Sequence, residues 1–134
     1  MRPDRLLKVS ERGSATVESV FAIVMLMLVT LGALEVAFVL YARNVLVSAA
    51  HEGVRAAVER GVPDAMAPAV VTDVVERAAG GLLSDLGVDT DTAALGDRDV
   101  LTVRVQGTVS AFGPVPVELP VSAVARSVRE APGR

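Results

Sequence analysis

The longest apolar run in the chain, SVFAIVMLMLVTLGAL at 19–34, contains no charged residue. Glu35 interrupts it, and the sequence VAFVLYA then continues the apolar pattern to Ala42. As one helix, residues 20–41 would extend about 33 Å at 1.5 Å per residue, close to the thickness of a bilayer core. We therefore predict a transmembrane segment at about 19–42.

The segment that precedes this run is basic. Residues 1–13 carry four cations and two carboxylates, so they have a net charge of +2 in a chain whose net charge is −3. Positive residues before an apolar helix remain in the cytoplasm, which predicts a single-pass protein with its C-terminus outside. Two alternatives stay open: a buried helix of a soluble protein, and a cleaved secretory signal ending at LGA, 32–34. The continuation of the apolar pattern to Tyr41 favours the anchor.

The helical pattern continues beyond the anchor. Apolar residues recur at a spacing close to 3.6 from Val45 to Val58, and charged residues occupy the opposite face. Gly61 and Pro63 then give a stop signal. We predict one helix over 14–60, with an amphipathic second half that must pack on another element.

The rest of the chain, 61–134, is predicted to form a small extracytoplasmic domain. Pro68–Leu86 has a helical stripe that the pair Gly80-Gly81 can end early. Period-two alternation predicts strands at Leu101–Val109 and 117–128, a weaker strand at Val88–Ala94, and a turn at 112–116. The expected fold class is α+β: a long N-terminal helix packed on a second helix and a small antiparallel sheet.

Composition and motifs argue against catalysis and against several kinds of ligand. The chain has no cysteine and one histidine, His51, so a metal site based on these residues is not expected. Asp89, Asp91, Asp97 and Asp99 are too sparse for a calcium loop and are interpreted as a solvated turn. The negative net charge argues against nucleic acid binding. No triad, zinc or phosphate-loop motif is present, so neither a cofactor nor an enzymatic activity is expected.

Glu18 lies at the mouth of the apolar helix, where an unpaired carboxylate is costly. The stretch GSATVE at 13–18 resembles the type III signal of the type IV pilin superfamily: a basic leader, a glycine, four residues, a glutamate and an apolar helix. The resemblance implies that a prepilin peptidase cleaves after Gly13, which makes Ser14 the first mature residue. In a helix bundle, Glu18 would then pair with the new Ser14 amine of a neighbouring subunit and set the axial register. The alternative is that Glu18 reaches the cytoplasmic interface.

A longer stretch narrows the family. RGSATVE, the apolar run and LGALEVAFVLYARNVLVSAAHEGVRAAV, over roughly 12–58, resemble the TadE-like proteins of tight-adherence (Flp) pilus systems. The resemblance implies a minor pilin or pseudopilin of the bacterial cytoplasmic membrane that can enter a pilus. Its expected partners are the prepilin peptidase, other pilin subunits, assembly-platform proteins and the lipid bilayer.

Two further features of the apolar helix are candidates for assembly contacts. Glu35 follows Glu18 by 17 residues, about 260° around a helix, so the two do not share a face. Glu35 either reaches the outer interface or pairs with a cation of a neighbouring protein. Ala33 and Ala37 form a small-x-x-x-small pair that permits close helix approach. Two rival functions stay open: an unprocessed single-span protein that anchors a binding domain, and a membrane-tethered enzyme.

Overall fold

The computed structural model describes the backbone of residues 4–60, 63–110 and 117–130, and side chains from Ser14 onward within those ranges. The elements in chain order are α1 (Asp4–Glu59), a 3₁₀ turn (Asp64–Met66), α2 (Ala67–Ala79), β1 (Leu83–Leu95), β2 (Arg98–Ser110) and β3 (Glu118–Glu130). The chain divides into two compact units, Met1–Val36 and Ala37–Arg134. Two helices and one sheet confirm the α+β class.

Within the second unit, α1 buries a stripe of small and branched apolar residues. The stripe follows the i, i+3, i+4, i+7 spacing of an amphipathic helix, which explains why this part of the sequence must pack on another element. Its most buried members are Ala42, Leu46, Ala49 and Ala50, which have no exposed surface. They join one core with residues of α2 and of the three strands.

The second helix is shorter than the sequence predicts. Pro68 lies in its first turn as expected, but α2 ends at Ala79 rather than at Leu86. The cause is the glycine pair: Gly81 adopts φ +82°, and the amide of Leu82 donates to the carbonyl of Ala79. The longer of the two ends that the sequence allowed, Leu86, was therefore wrong, and the early end at the glycine pair is confirmed, because the residues after the glycines enter a strand.

The sheet is an antiparallel meander with the order β1-β2-β3. Its inner face carries alternating buried residues that pack on the helices, namely Leu101, Val103, Val105, Val109, Val121, Ala123 and Ala125. Its outer face carries the intervening residues, most of which are polar or exposed. One face packed and one face solvated is the usual arrangement for an antiparallel sheet, and it explains the period-two pattern.

The first strand is the element that the sequence underestimates. The predicted weak strand at Val88–Ala94 is the regular part of a strand that begins at Leu83. A register irregularity between Ser84 and Gly87, with Asp85 at φ 51°, breaks the alternation there. A β-bulge of this kind removes the period-two signal that the sequence analysis used.

The other boundaries differ less. The helix α1 begins at Asp4 rather than at Ser14 and ends at Glu59, β2 begins at Arg98, and β3 ends at Glu130. The predicted turn at 112–116 and the residues after Glu130 lie outside the described residues.

Gly53 of α1 lies close against α2. A Cβ atom built on Gly53 would lie 2.5 Å from Cγ2 of Val71, a fully buried and conformationally stiff side chain. It would also lie 3.7 Å from Cγ1 of Val103 in β2. Gly53 therefore sets the distance at which α1, α2 and the sheet can pack together.

We expect Gly53→Ala to lower the free energy of unfolding of this unit by about 1–2 kcal/mol, because overpacking outweighs the gain in helix propensity. The measurement is denaturant unfolding of the detergent-solubilised full chain. Fluorescence of Tyr41, the single tyrosine, reports on this unit.

Two controls distinguish steric overlap from a general effect. Gly32→Ala, at a helical glycine with no atom within 4 Å of an added Cβ, should not destabilise the unit. The double variant Gly53→Ala/Val71→Ala should lose less free energy of unfolding than the two single variants lose together. Strict additivity would contradict the contact.

Candidate membrane-anchor and assembly site

The first unit presents apolar side chains on all sides of a helix. Val17 is 70% exposed and Val29 is 68% exposed, and the most apolar window of α1 has none of its residues buried. The hydroxyls of Ser19 and Thr30 donate to the carbonyls of Ala15 and Leu26 at 2.8 Å, so both donors are satisfied within the helix. By length and composition α1 is able to cross a membrane. A helix that is apolar all round is suited to lipid or to a bundle of similar helices.

Two carboxylates interrupt this apolar surface. Glu18 is exposed and Glu35 is half-buried. Neither forms an ion pair with another residue in the part of the chain that the structure describes. Their separation of 17 residues corresponds to about 25 Å along a helix, slightly less than a bilayer core. Each carboxylate can therefore lie close to one membrane surface.

The candidate cleavage site and the small-residue pair also lie on α1. The peptide bond between Gly13 and Ser14 falls within the continuous helix Asp4–Glu59. Glycine lowers helix stability by about 1 kcal/mol relative to alanine, so this is a favourable place for local unwinding. Ala33 and Ala37 are both exposed, which leaves their surface open to another helix.

The segment after the anchor combines small buried residues with exposed charges. Ala49, Ala50, Gly53, Ala56 and Ala57 are all buried against the rest of the second unit. On the exposed side, Nε of Arg55 lies 2.7 Å from Glu59, and Arg60 pairs with Glu52. Exposed pairs of this kind contribute little to stability. The segment is therefore chiefly a packing surface for the second unit.

A family model described as TadE-like protein matches residues 13–55. This segment is TadE-like. The match covers 43 of the 134 residues: the glycine of the candidate cleavage site, the anchor and most of the small-residue packing surface. No curated protein and no solved structure matches the chain significantly.

The TadE-like segment suggests a protein associated with Tad pilus systems. It contains Gly13, Ser14, Glu18, Glu35 and the pair Ala33 and Ala37, the residues that the sequence analysis selected. The 3₁₀ turn, α2 and the sheet lie beyond the match. Their roles have to be argued from the contacts that they make.

One polar cluster outside the TadE-like segment links three elements. Arg129 in β3 donates two hydrogen bonds of 2.8 Å to the carboxylate of Asp64, and Thr92 in β1 donates a third at 3.2 Å. The hydrogen bonds from Arg129 hold the pKa of Asp64 below its usual value. The cluster fastens the connection between the two helices to one end of the sheet.

A second long-range contact fastens α2 to α1. The hydroxyl of Tyr41 donates to the carbonyl of Ala78 at 2.7 Å, one of the last carbonyls of α2. The sequence analysis missed this contact and the Asp64 cluster. Each joins residues at least 28 positions apart whose local sequence carries no motif. The sequence offered one signal for the Tyr41 contact: a tyrosine at the end of an apolar run is in a favourable interfacial position.

The structure separates the other residues that the sequence analysis considered. His51 lies on the exposed side of α1. Asp89 and Asp91 lie on the outer face of β1, Asp97 lies in the turn after β1, and Asp99 pairs with Ala94 at the start of β2. No group of three His, Cys, Asp or Glu side chains that could hold a metal occurs among the described residues.

We expect Asp64→Asn to lower the free energy of unfolding at pH 7 by about 1–2 kcal/mol, because charge-assisted hydrogen bonds are lost. The folded-state pKa of Asp64 lies below its unfolded-state value, so the ion pair stabilises the fold above that unfolded value, about pH 4. This contribution is lost as the pH falls through the folded-state pKa. The difference in free energy of unfolding between wild type and Asp64→Asn should therefore become smaller in acid. Denaturant unfolding followed by Tyr41 fluorescence measures this difference.

The matched control is Asp73→Asn. Asp73 pairs with Arg77 within α2, but both side chains are more than 60% exposed. We expect a change of less than about 0.5 kcal/mol and little pH dependence. Equal effects of the two substitutions would contradict a specific role for the Asp64 cluster.

Proposed function

We propose that the protein is a minor pilin or pseudopilin of a Tad, or Flp-type, pilus. It is held in the bacterial cytoplasmic membrane by α1, with the basic leader in the cytoplasm and the second unit outside. It acts as a structural subunit of pilus assembly and adhesion. The observation that carries the proposal is the TadE-like match over a helix whose apolar surface is exposed on all sides.

The proposed sequence of events begins with removal of residues 1–13 by a prepilin peptidase. Cleavage of the peptide bond after Gly13 leaves a positively charged amine on Ser14, four residues before Glu18. When apolar helices pack together, a carboxylate without a partner is strongly disfavoured. Glu18 of one subunit therefore pairs with the Ser14 amine of another, and helices that are out of register lose this contact.

The remaining features of the anchor fit the same role. The exposed pair Ala33 and Ala37 allows a neighbouring helix to approach closely. Glu35 supplies a second charge toward the outer surface, available to a cation of another pilin subunit or of the assembly platform. The contacts proposed here require no cofactor, and the protein performs no reaction of its own.

The alternative is an unprocessed single-span protein that anchors a small extracytoplasmic binding domain. The apolar exposure of the first unit supports both functions equally. They differ in the fate of the Gly13–Ser14 bond, which makes processing the decisive measurement.

We expect the intact mass of the membrane-extracted protein to lack residues 1–13 in cells that contain the prepilin peptidase and to include them in cells that lack it. Gly13→Leu should block processing, since the bulky side chain obstructs the scissile bond. Gly32→Leu, at an open position of the same helix, should be processed normally. An unprocessed mass in both strains would support the alternative function.

We expect Glu18→Ala and Glu18→Gln to be cleaved normally but to lower incorporation into pilus assemblies at least about tenfold, because the charge pair with Ser14 is lost. The measurement is the ratio of the subunit in sheared pili to that in membranes. Glu52→Gln, on the exposed side of α1 outside the anchor, is the matched charge control. Wild-type incorporation of both Glu18 variants would contradict the register role.

A further inference from the structure

The outer face of the sheet lacks a packing partner in the described ranges. The core on the inner face takes its buried residues from the two helices, β2 and β3, and β1 adds partly buried residues to it. On the outer face, Val124 is 47% exposed and Val128 is 50% exposed. Apolar residues on the solvated side of a sheet are candidates for an interface when they accompany complementary charges.

The charges of this face are arranged in rows across the three strands. In the middle of the face, acidic residues lie on β1 and basic residues lie on β2 and β3 at the same levels, whereas Glu118 and Glu130 lie at the two ends of β3. Three successive rows, read from β1 to β3, are Asp89–Arg104–Val124, Asp91–Thr102–Arg126 and Ala93–Val100–Val128. The first two rows are each neutral, and the third is apolar.

We propose that this face packs against the same face of a second copy of the chain, around a two-fold axis parallel to the strands. Such an axis places β1 of each copy over β3 of the other and keeps each row at its own level. Asp91 then faces Arg126 of the second copy, and this contact occurs twice. The apolar rows meet each other. The two Arg104 side chains meet near the axis together with two Asp89 carboxylates, so that this level is neutral as well.

The direction of the axis follows from where the chain enters the second unit. Tyr41 contacts Ala78 near the end of the sheet where β1 begins, and Asp64 contacts Arg129 at the opposite end. This part of α1 therefore runs along the strands, starting from the Leu83 end. A rotation about an axis parallel to the strands leaves the points at which the two chains enter their second units at the same end. Two copies in one membrane can satisfy this arrangement, which rests on the proposed membrane location.

Pairing of sheet edges does not offer an equivalent contact. Two packed helices need about 18 Å of width, whereas three strands provide about 14 Å. Joining β3 of one copy to β1 of another in one sheet would therefore bring helices on the same face into collision. Face-to-face packing places the helices of the two copies on opposite outer sides. Its strands align within about 30°, as in β-sandwiches.

The size of the face is sufficient for a specific but modest interface. Three strands of 13 residues cover about 14 Å by 43 Å, or roughly 600 Å² on each copy. The total of about 1,200 Å² lies at the lower limit of specific protein interfaces. Tethering to one membrane raises the local concentration of the second copy and favours association.

The test uses the full chain in lipid bilayers and begins with thiol cross-linking. The sequence has no cysteine, so single substitutions give unambiguous products. Thr102→Cys lies on the axis and should form a covalent dimer with a short bis-maleimide. His51→Cys, exposed on the helix side of the sheet, is the matched control and should not.

Charge reversal tests the proposed pairing directly. Asp91→Arg and Arg126→Asp should each reduce the Thr102→Cys cross-link and weaken dimerisation by on the order of tenfold, since each change affects two symmetric contacts. The double variant Asp91→Arg/Arg126→Asp should restore both to within about twofold. Both positions are exposed, and Tyr41 fluorescence unfolding verifies that the variants fold.

Several results would overturn the proposal. The chain could dimerise although Thr102→Cys gives no cross-linked product and charge reversal has no effect on the dimer. This result would place the contact in the anchor instead. A cross-link from Thr102→Cys to a different protein would assign the face to another partner. Failure to restore the dimer in the double variant would exclude the Asp91–Arg126 contact. None of these readouts depends on processing after Gly13, so they are independent of the pilin proposal.

Discussion

The packing of this protein depends on a change in the kind of surface that α1 exposes along its length. From Val17 to Val36, α1 exposes apolar side chains in every direction, whereas from Ala42 onward it buries one stripe and exposes charges on the other side. Exposure of the apolar surface to water is unfavourable, and so is exposure of the charged surface to lipid. The change from the first surface to the second therefore marks the place on α1 where the folded unit begins, and Tyr41 contacts α2 close to it.

The second unit is held by small residues rather than by large ones. The chain has three phenylalanines, one tyrosine and no tryptophan, so its core is built from valine, leucine and alanine. Such a core gains little area per residue and depends on close approach of the backbones. Gly53 against Val71 is the clearest case, and it lies in the segment that matches the TadE-like family.

The sequence was sufficient for the features with strong periodicity and insufficient for those set by single contacts. The apolar run, the amphipathic second half of α1 and the strands β2 and β3 were identified because burial repeats along them. The end of α2 stayed open between the glycine pair and Leu86, because the apolar stripe continues beyond the glycines, and the bulge near Asp85 concealed the start of β1. The bonds of Tyr41 and Asp64 could not be anticipated, since no local pattern encodes a partner on another element. Gly13, Glu18 and Glu35 were selected on residue type and spacing, and cleavage, register and partner contacts remain predictions.

The meander topology bears on the order in which the unit can fold. Each strand pairs with the next one along the chain, so the sheet closes over short connections, whereas docking of α1 is long-range. Before docking, β2 presents the valine-rich segment Leu101–Val109, a type of sequence that is prone to aggregate. Arg104 places a charge in the middle of that segment. It thus lowers the tendency of this segment to pair with foreign strands in the interval before β1 and β3 have paired with it.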